Sequence, residues 1–240
     1  MKNVIEVEHL KKSYNNKLAV DNLSFSVKEG EFFGLLGHNG AGKSTTIDCI
    51  LGLKSFEDGK VRILDMEPVK NRKKLFERVG VQLQQYSYQD RIKVLELCEE
   101  TSVLYKEADD YQKLLKEFSL DKVKNQYVST LSGGERQKLS ILLALLPRPE
   151  VIFLDELTTG LDTVARREVW KQLSELKEKG VTLLLTSHYM DEVEALCDKI
   201  CIIKSGKEVI SGTVEEVISA SPYAKLEEAY LWHMGEEEIV

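Results

Sequence analysis

Residues Gly37-His38-Asn39-Gly40-Ala41-Gly42-Lys43-Ser44 fit the pattern G-x-x-x-x-G-K-[ST]. Each residue type there has a chemical reason. Glycines admit backbone conformations that a Cβ forbids, so successive N–H groups can curl around anionic oxygens. A helix opening directly behind the loop adds its partial positive charge. Lys43 then suits the β- and γ-phosphates of a nucleoside triphosphate, and the Ser44 hydroxyl, followed by Thr45, suits a magnesium ion. The bland alternative is a glycine-rich turn that merely starts a helix. The buried strand expected just before the loop argues against it.

A site of this kind needs a carboxylate on a neighbouring buried strand to orient the metal. Val151-Ile152-Phe153-Leu154-Asp155 provides four apolar residues and then an acid where the strand emerges. Ligands of open α/β sheets lie at the carboxyl ends of strands, so Asp155 is expected beside the phosphate loop. Glu156 follows as a general base to polarise an attacking water. A strand ending in Asp-Glu is common by itself and gains meaning only with the loop. Upstream, Leu131-Ser132-Gly133-Gly134-Glu135-Arg136-Gln137-Lys138 has a good helix N-cap in Ser132 and capping-box spacing to Glu135. A helix start of that kind also attracts phosphate. Standing alone it reads as an ordinary capped helix.

Together these segments resemble the ATP-binding subunits of ABC transporters, and the resemblance runs to about Gly212. It implies that Ser132, Gly133, Gly134 and Glu135 form the signature motif, which addresses the γ-phosphate of ATP held by a second subunit. Tyr14 stands where the family places an adenine-stacking aromatic, and Gln84 where it places the glutamine that touches Mg²⁺ and the attacking water. Asp162 matches an aspartate that communicates between two sites, and His188 a histidine on the γ-phosphate. The phosphate loop binds ATP through Gly37, His38, Asn39, Gly40, Ala41, Gly42, Lys43, Ser44 and Thr45 on this reading. Ser44, Gln84 and Asp155 hold Mg²⁺, and Glu156, His188, Gln84 and Lys43 serve catalysis. The chain departs from the family at Leu83 and Leu157, where proline is common, and at Glu135, where glutamine is commoner. Gln82 and Gln85 also crowd the coupling position. None of these changes removes a phosphate, magnesium or proton-transfer group.

The elements that must position these residues are legible as well. Val4–Glu8 and Leu23–Val27 alternate as strands, whereas Phe32–Leu36, Val151–Leu154 and Val181–Leu185 are continuous apolar runs, the mark of strands buried on both faces. Gly59–Leu64 reads as a strand, and Ile200–Ile203 with Glu208–Ile210 as a hairpin turning at Ser205-Gly206. Between Tyr86 and Thr130 the strand runs vanish, and Val94-Leu95-Leu97-Cys98 and Tyr111-Leu114-Leu115-Phe118 take helical spacing. The expected fold class is α/β, a P-loop NTPase core with a mostly parallel sheet, an N-terminal antiparallel β subdomain and an inserted helical subdomain. Expected boundaries are 1–85 with 131–215 for the ATP-binding core, 86–130 for the helical insertion and 216–240 for a tail.

Composition narrows the function. The 240 residues carry a net charge of −7, which argues against a nucleic-acid partner. The longest apolar run, Ile141–Leu146, is far too short to span a bilayer, and no secretory leader is expected at the N-terminus. Cys49, Cys98, Cys197 and Cys201 are scattered in apolar patterns and read as reduced, buried thiols, with Cys197 and Cys201 sharing a helix face or bracketing a helix end. What the resemblance implies is an ATPase at the cytoplasmic face of the membrane, peripheral, using ATP and Mg²⁺. Its partners would be a second copy or paralogue in an ATP-sandwich dimer and integral membrane permease subunits, with export preferred over import. A soluble ABC ATPase of DNA repair or translation is the rival reading. Repair members separate loop and signature by a long coiled coil, and translation members carry two such domains per chain; this chain does neither.

Overall fold

The computed structural model describes residues 2–83, 88, 89 and 91–236. In chain order come β1 (Asn3–Tyr14), β2 (Lys17–Lys28), β3 (Phe32–Leu36), α1 (Lys43–Ile50), β4 (Asp58–Ile63), α2 (Arg72–Leu75) and β5 (Val79–Gln82). Then follow α3 (Val94–Ser102), α4 (Tyr111–Glu117), a 3₁₀ turn at Val128–Thr130, α5 (Gly133–Leu145), β6 (Val151–Asp155) and α6 (Thr163–Glu178). The chain continues through β7 (Thr182–Ser187), α7 (Met190–Leu196), β8 (Lys199–Lys204), β9 (Lys207–Thr213), α8 (Val214–Ser219) and α9 (Leu226–Met234). These elements form two compact units, residues 1–72 with 182–240, and residues 73–181.

In the first unit, β1 and β2 form a hairpin whose turn residues Asn15 and Asn16 both take positive φ, 47° and 64°. That is the turn geometry whose twist matches paired strands, and asparagine tolerates it. β4 pairs on the other edge of β1, giving an antiparallel sheet in the order β2-β1-β4. Ile5 and Val7 of β1 and Leu23 and Val27 of β2 are buried on the alternating face, and Leu10 and Val20 join them across register shifts near His9 and Asn22, whose φ are 52° and 58°. β3 runs parallel to both β7 and β8, and β8 turns back antiparallel into β9 at Ser205-Gly206. β3 and β7 are buried at every position, which is why both read as unbroken apolar runs. The stretch after Thr213 is helical: Thr213 caps α8 with Glu216 in a capping box, and α9 buries Leu226, Ala229 and Met234.

The second unit pairs β5 with β6 in parallel, from Val79↔Val151 to Gln82↔Leu154. Arg78 and Glu150, just ahead of the two strands, form an ion pair that includes a 2.7 Å Nη2–Oε2 bond. Within 88–130 the described residues form helices and one isolated bridge, Lys93↔Tyr127, but no strand. β5 escaped the sequence pattern because Gly80 and Gln82 break its apolar run. The cysteines are buried free thiols; Cys197 caps the end of α7 while Cys201 lies in β8, so they bracket a helix end. Burial pushes the Cys49 thiol up to about 11 and the Cys98 thiol up to about 12. No helix among the described residues is long and apolar enough to cross a membrane.

Gly80 is the tightest contact beside the site. A Cβ there would lie 2.1 Å from the Ala144 carbonyl oxygen of α5. Backbone cannot retreat as a flexible side chain can, so Gly80→Ala should cost about 1–3 kcal/mol by overpacking. The expected outcome is a melting temperature lower by roughly 3–10 °C in thermal denaturation. An unchanged Tm would show that α5 does not press on β5.

Candidate nucleotide-binding site

The phosphate loop lies in the first unit, between the buried strand β3 and α1. Its shape is imposed from outside. Gly42 has φ 108°, and a Cβ there would meet the Ala19 carbonyl oxygen at 2.3 Å. The neighbouring β8–β9 turn presses in as well, with Gly206 N–H donating to the Ala41 carbonyl at 2.8 Å. Asp21 N–H in turn donates to the Gly206 carbonyl at 2.8 Å. Gly37 is equally confined, since a Cβ would lie 2.6 Å from the Ile203 carbonyl oxygen. Gly40 differs: its φ is 82° and nothing lies within 4 Å of where a Cβ would point, so the loop's crest opens outward. Confined flanks and an open crest leave a cradle of backbone for an anion. No side chain caps the N-terminus of α1.

Lys43 is 4% exposed. Its ammonium donates back to the loop, 2.8 Å to the Gly37 carbonyl and 3.3 Å to the His38 carbonyl. Thr46 anchors the helix start through its N–H and its hydroxyl, both donating to the Gly42 carbonyl at 2.8 Å. The parallel register Leu36↔Ser187 brings the end of β7 beside the start of the loop, and His188 follows Ser187 directly. Ser187 Oγ accepts the Tyr189 N–H at 3.0 Å, and the Tyr189 ring centroid sits 4.2 Å from that of His188. Tyr14, 43% exposed at the β1–β2 turn, has Lys12 Nζ 5.1 Å and Lys54 Nζ 5.7 Å from its ring centroid. Lys54 also pairs with Asp48 of α1 at 2.8 Å, and its pKa is raised, first by Asp48. An exposed ring held by α1 fits an aromatic that stacks on a base.

The second unit carries the acids and the signature segment. β6 ends in Asp155, 3% exposed, and Glu156 follows with φ 49°, a left-handed backbone that a glutamate adopts only at a cost. Gln137 of α5 holds that turn by donating to the Leu157 carbonyl. Thr159 N–H donates to the Glu156 carbonyl at 3.3 Å, and Gly160 absorbs a second positive φ. Asp162 caps α6, its Oδ1 accepting the Val164 and Ala165 N–H groups, each at 2.9 Å. The carboxylate assigned to communication therefore also starts a helix. Ser132 caps α5 as its spacing predicts: its N–H and hydroxyl both donate to Glu135 Oε2, at 2.9 and 2.8 Å. A Cβ on Gly134 would lie 3.2 Å from Ala165 Cβ, so α5 and α6 meet there without room for a larger residue. Gln84 lies outside the described residues.

Local pattern could not show the buttress of Ala19 and Gly206 behind Gly42, nor Gln137 behind Leu157, because each is a contact between distant segments. The chemistry of the first unit suits the phosphates of ATP, with loop backbone and a buried ammonium facing an anion.

The Ser132 bonds hold the Glu135 carboxyl below its ordinary value of 4.5. A depressed carboxyl stabilises the fold above its unfolded pKa, and the benefit disappears as pH falls through the folded one. The Tm advantage of wild type over Glu135→Gln should thus be largest near neutrality and shrink below the ordinary glutamate range. A difference that stays constant from pH 7 to pH 3 would mean that the charge contributes nothing to the cap.

Comparison with known proteins agrees with this geometry. The family profile described as ABC transporter matches residues 20–159. A Nod factor export ATP-binding protein I of Sinorhizobium fredii is 38% identical over 225 residues, covering 89% of this chain and 64% of its own length. The chain thus spans about two thirds of that relative. A solved ATP-binding subunit of an ABC transporter superposes with TM-score 0.87 at 27% identity, covering 96% of this chain and 99% of its own. A bacterial ABC transporter cassette solved as a dimer matches with TM-score 0.77 at 25% identity, over 87% of this chain and 98% of its own. Because the family profile covers more than half of the chain, the chain belongs to the ABC transporter family as one of its ATP-binding ATPases.

Proposed function

We propose that this chain binds MgATP, hydrolyses it in a two-chain sandwich and so drives export through separate membrane subunits. The observation that carries the reading is Lys43, an ammonium only 4% exposed that points back into a glycine-rich loop, donating to the Gly37 carbonyl at 2.8 Å. An ammonium in that position can give phosphate oxygens charge-assisted bonds in which both partners are ionised. The loop residues 37–45 cradle the phosphates, and Tyr14 stacks on the base. Ser44, Asp155 and Gln84 are the magnesium ligands in this reading; the ion screens phosphate charge and aligns the γ-phosphoryl group. Glu156 accepts the proton of the attacking water, with Gln84 and His188 orienting water and γ-phosphate. Ser132, Gly133, Gly134 and Glu135 address the phosphate of the other chain, and Asp162 links the two sites.

Export follows from the Nod factor relative's printed role. A membrane partner is supported by a solved neighbour, cbiO1 of Clostridium perfringens, described as part of the ABC transporter complex cbiONQ. The proposed contact is the stretch 86–104, whose described end presents Val103 and Leu104 at 79% and 73% exposure. Residues 86, 87 and 90 of that stretch lie outside the described residues.

Two measurements test the reading. Glu156→Gln keeps shape but cannot accept a proton, so it should retain ATP binding while turnover falls by about 10² to 10⁴-fold. Near wild-type hydrolysis would move the base elsewhere. The sandwich itself is tested by mixing Lys43→Ala chains with Ser132→Arg chains. A shared site concentrates both lesions in one composite site and leaves the other intact, so the mixed dimer should occlude one nucleotide while each mutant alone occludes none. No occlusion at any mixing ratio would sink the two-chain site.

A further inference from the structure

Gln82 is the last residue of β5 and only 2% exposed, a long polar side chain buried at a strand end. Burying an amide is unfavourable unless both its ends are bonded. Here they are. Gln82 Oε1 accepts the Asp155 N–H at 3.1 Å, and Gln82 Nε2 donates to the Leu83 carbonyl at 3.0 Å. The partners fix the orientation of the amide, because turning it over would set NH₂ against N–H and oxygen against carbonyl. The β5–β6 register ends at Gln82↔Leu154, so the side chain reaches one residue past the last paired position. It does for Asp155 what another ladder bond would do, at the point where β5 itself leaves the sheet.

We infer that Gln82 is a positioning residue for the reaction: its amide fixes the main chain of Asp155 and thereby the metal-binding carboxylate. The inference rests on the proposed role of Asp155 as a magnesium ligand. It draws on three features together. The bond goes to the backbone of the ligand-bearing residue, the next residue Glu156 has a strained φ of 49°, and the same amide ties down Leu83, where the chain departs for Gln84. A turn holding a costly conformation needs its neighbours over-determined. Removing the acceptor takes this bond from the last residue before that turn. Magnesium demands near-ideal octahedral geometry, so a ligand with a looser main chain binds it less well. Nucleotide phosphates held by the loop in the first unit do not depend on Gln82, which separates the two effects.

The test compares wild type with Gln82→Met, which keeps length and flexibility but loses both bonds, and with Gln82→Glu, which keeps an acceptor for Asp155 but sets a second oxygen against the Leu83 carbonyl. Binding of a fluorescent ATP analogue is titrated with EDTA and with increasing Mg²⁺, alongside hydrogen–deuterium exchange of the peptide covering residues 153–157. Gln82→Met should match wild type in EDTA. The Mg²⁺ concentration giving half of the metal-dependent gain in affinity should rise by roughly tenfold, as loss of a residue that orients a metal ligand commonly does. Exchange should quicken at Asp155. Gln82→Glu should fall between the two proteins in both readouts. Wild-type Mg²⁺ dependence and exchange in Gln82→Met overturn the inference. If Gln82→Met fails to fold by thermal melt, Gln82→Glu decides, and its equality with wild type in both readouts overturns the inference equally. If wild type itself gains nothing from Mg²⁺, Asp155 is not a metal ligand, and the function proposed above fails at that point.

Discussion

A lysine ammonium almost removed from water governs the first unit. Burying such a charge is costly unless it is paired and bonded. Two of the bonds of Lys43 go to carbonyls of its own loop, Gly37 and His38. Those carbonyls point inward only because the loop is bent, and the bend exists only because Gly42 sits at φ 108° against Ala19. Gly206 then closes the far side through its bond to the Ala41 carbonyl. The β2 strand, the β8–β9 turn and the β3–α1 loop are thus one device. Each supplies backbone rather than side chains, and an added Cβ on Gly42 or Gly206 would run into the Ala19 carbonyl.

The second unit holds a strained turn by comparable means. Glu156 takes a left-handed backbone, which costs about 1–2 kcal/mol for a residue with a Cβ. Bonds on both sides keep it there: Gln82 to the Asp155 N–H ahead of it, and Gln137 to the Leu157 carbonyl behind it. Downstream, Asp162 spends its carboxylate on capping α6, which sets the direction in which the chain leaves the turn. A base for water activation needs a fixed direction more than it needs contacts, and a turn locked at both ends supplies one.

These same bonds explain what could be read in advance. β3, β6 and β7 were legible because burial on both faces leaves an uninterrupted apolar run, and the β8–β9 hairpin because Ser205-Gly206 announces its turn. The capping box of Ser132 and Glu135 was legible because it is local. β5 was missed because two of its four residues, Gly80 and Gln82, are there for close packing and for a hydrogen bond. The helices α8 and α9 were missed because, at six and nine residues, both are too short for a helical period to stand out. Only Leu226, Ala229 and Met234, spaced along one face, betray the packing of α9. Of the site, the groups that do chemistry were legible by type and spacing. The residues that aim them were not, since Ala19, Gly206, Gln82 and Gln137 have ordinary identities and act across the fold.

Both polar ends of the proposed machinery already have their donors engaged, and this shapes how binding energy is distributed. Lys43 donates to neutral carbonyls, whereas the Ser132 hydroxyl donates to a carboxylate. Net hydrogen-bond energy is a difference between the bond made and the bond given up. For Lys43 a phosphate oxygen would bring the negative charge that the Gly37 and His38 carbonyls lack. For Ser132 it replaces one anion by another, which gains little, and the displaced Glu135 charge then stands near the phosphate. In the proposed two-chain reading, the loop would bring new charge to the nucleotide while Ser132 would only exchange partners, a weak contact that suits a second chain able to close and leave again.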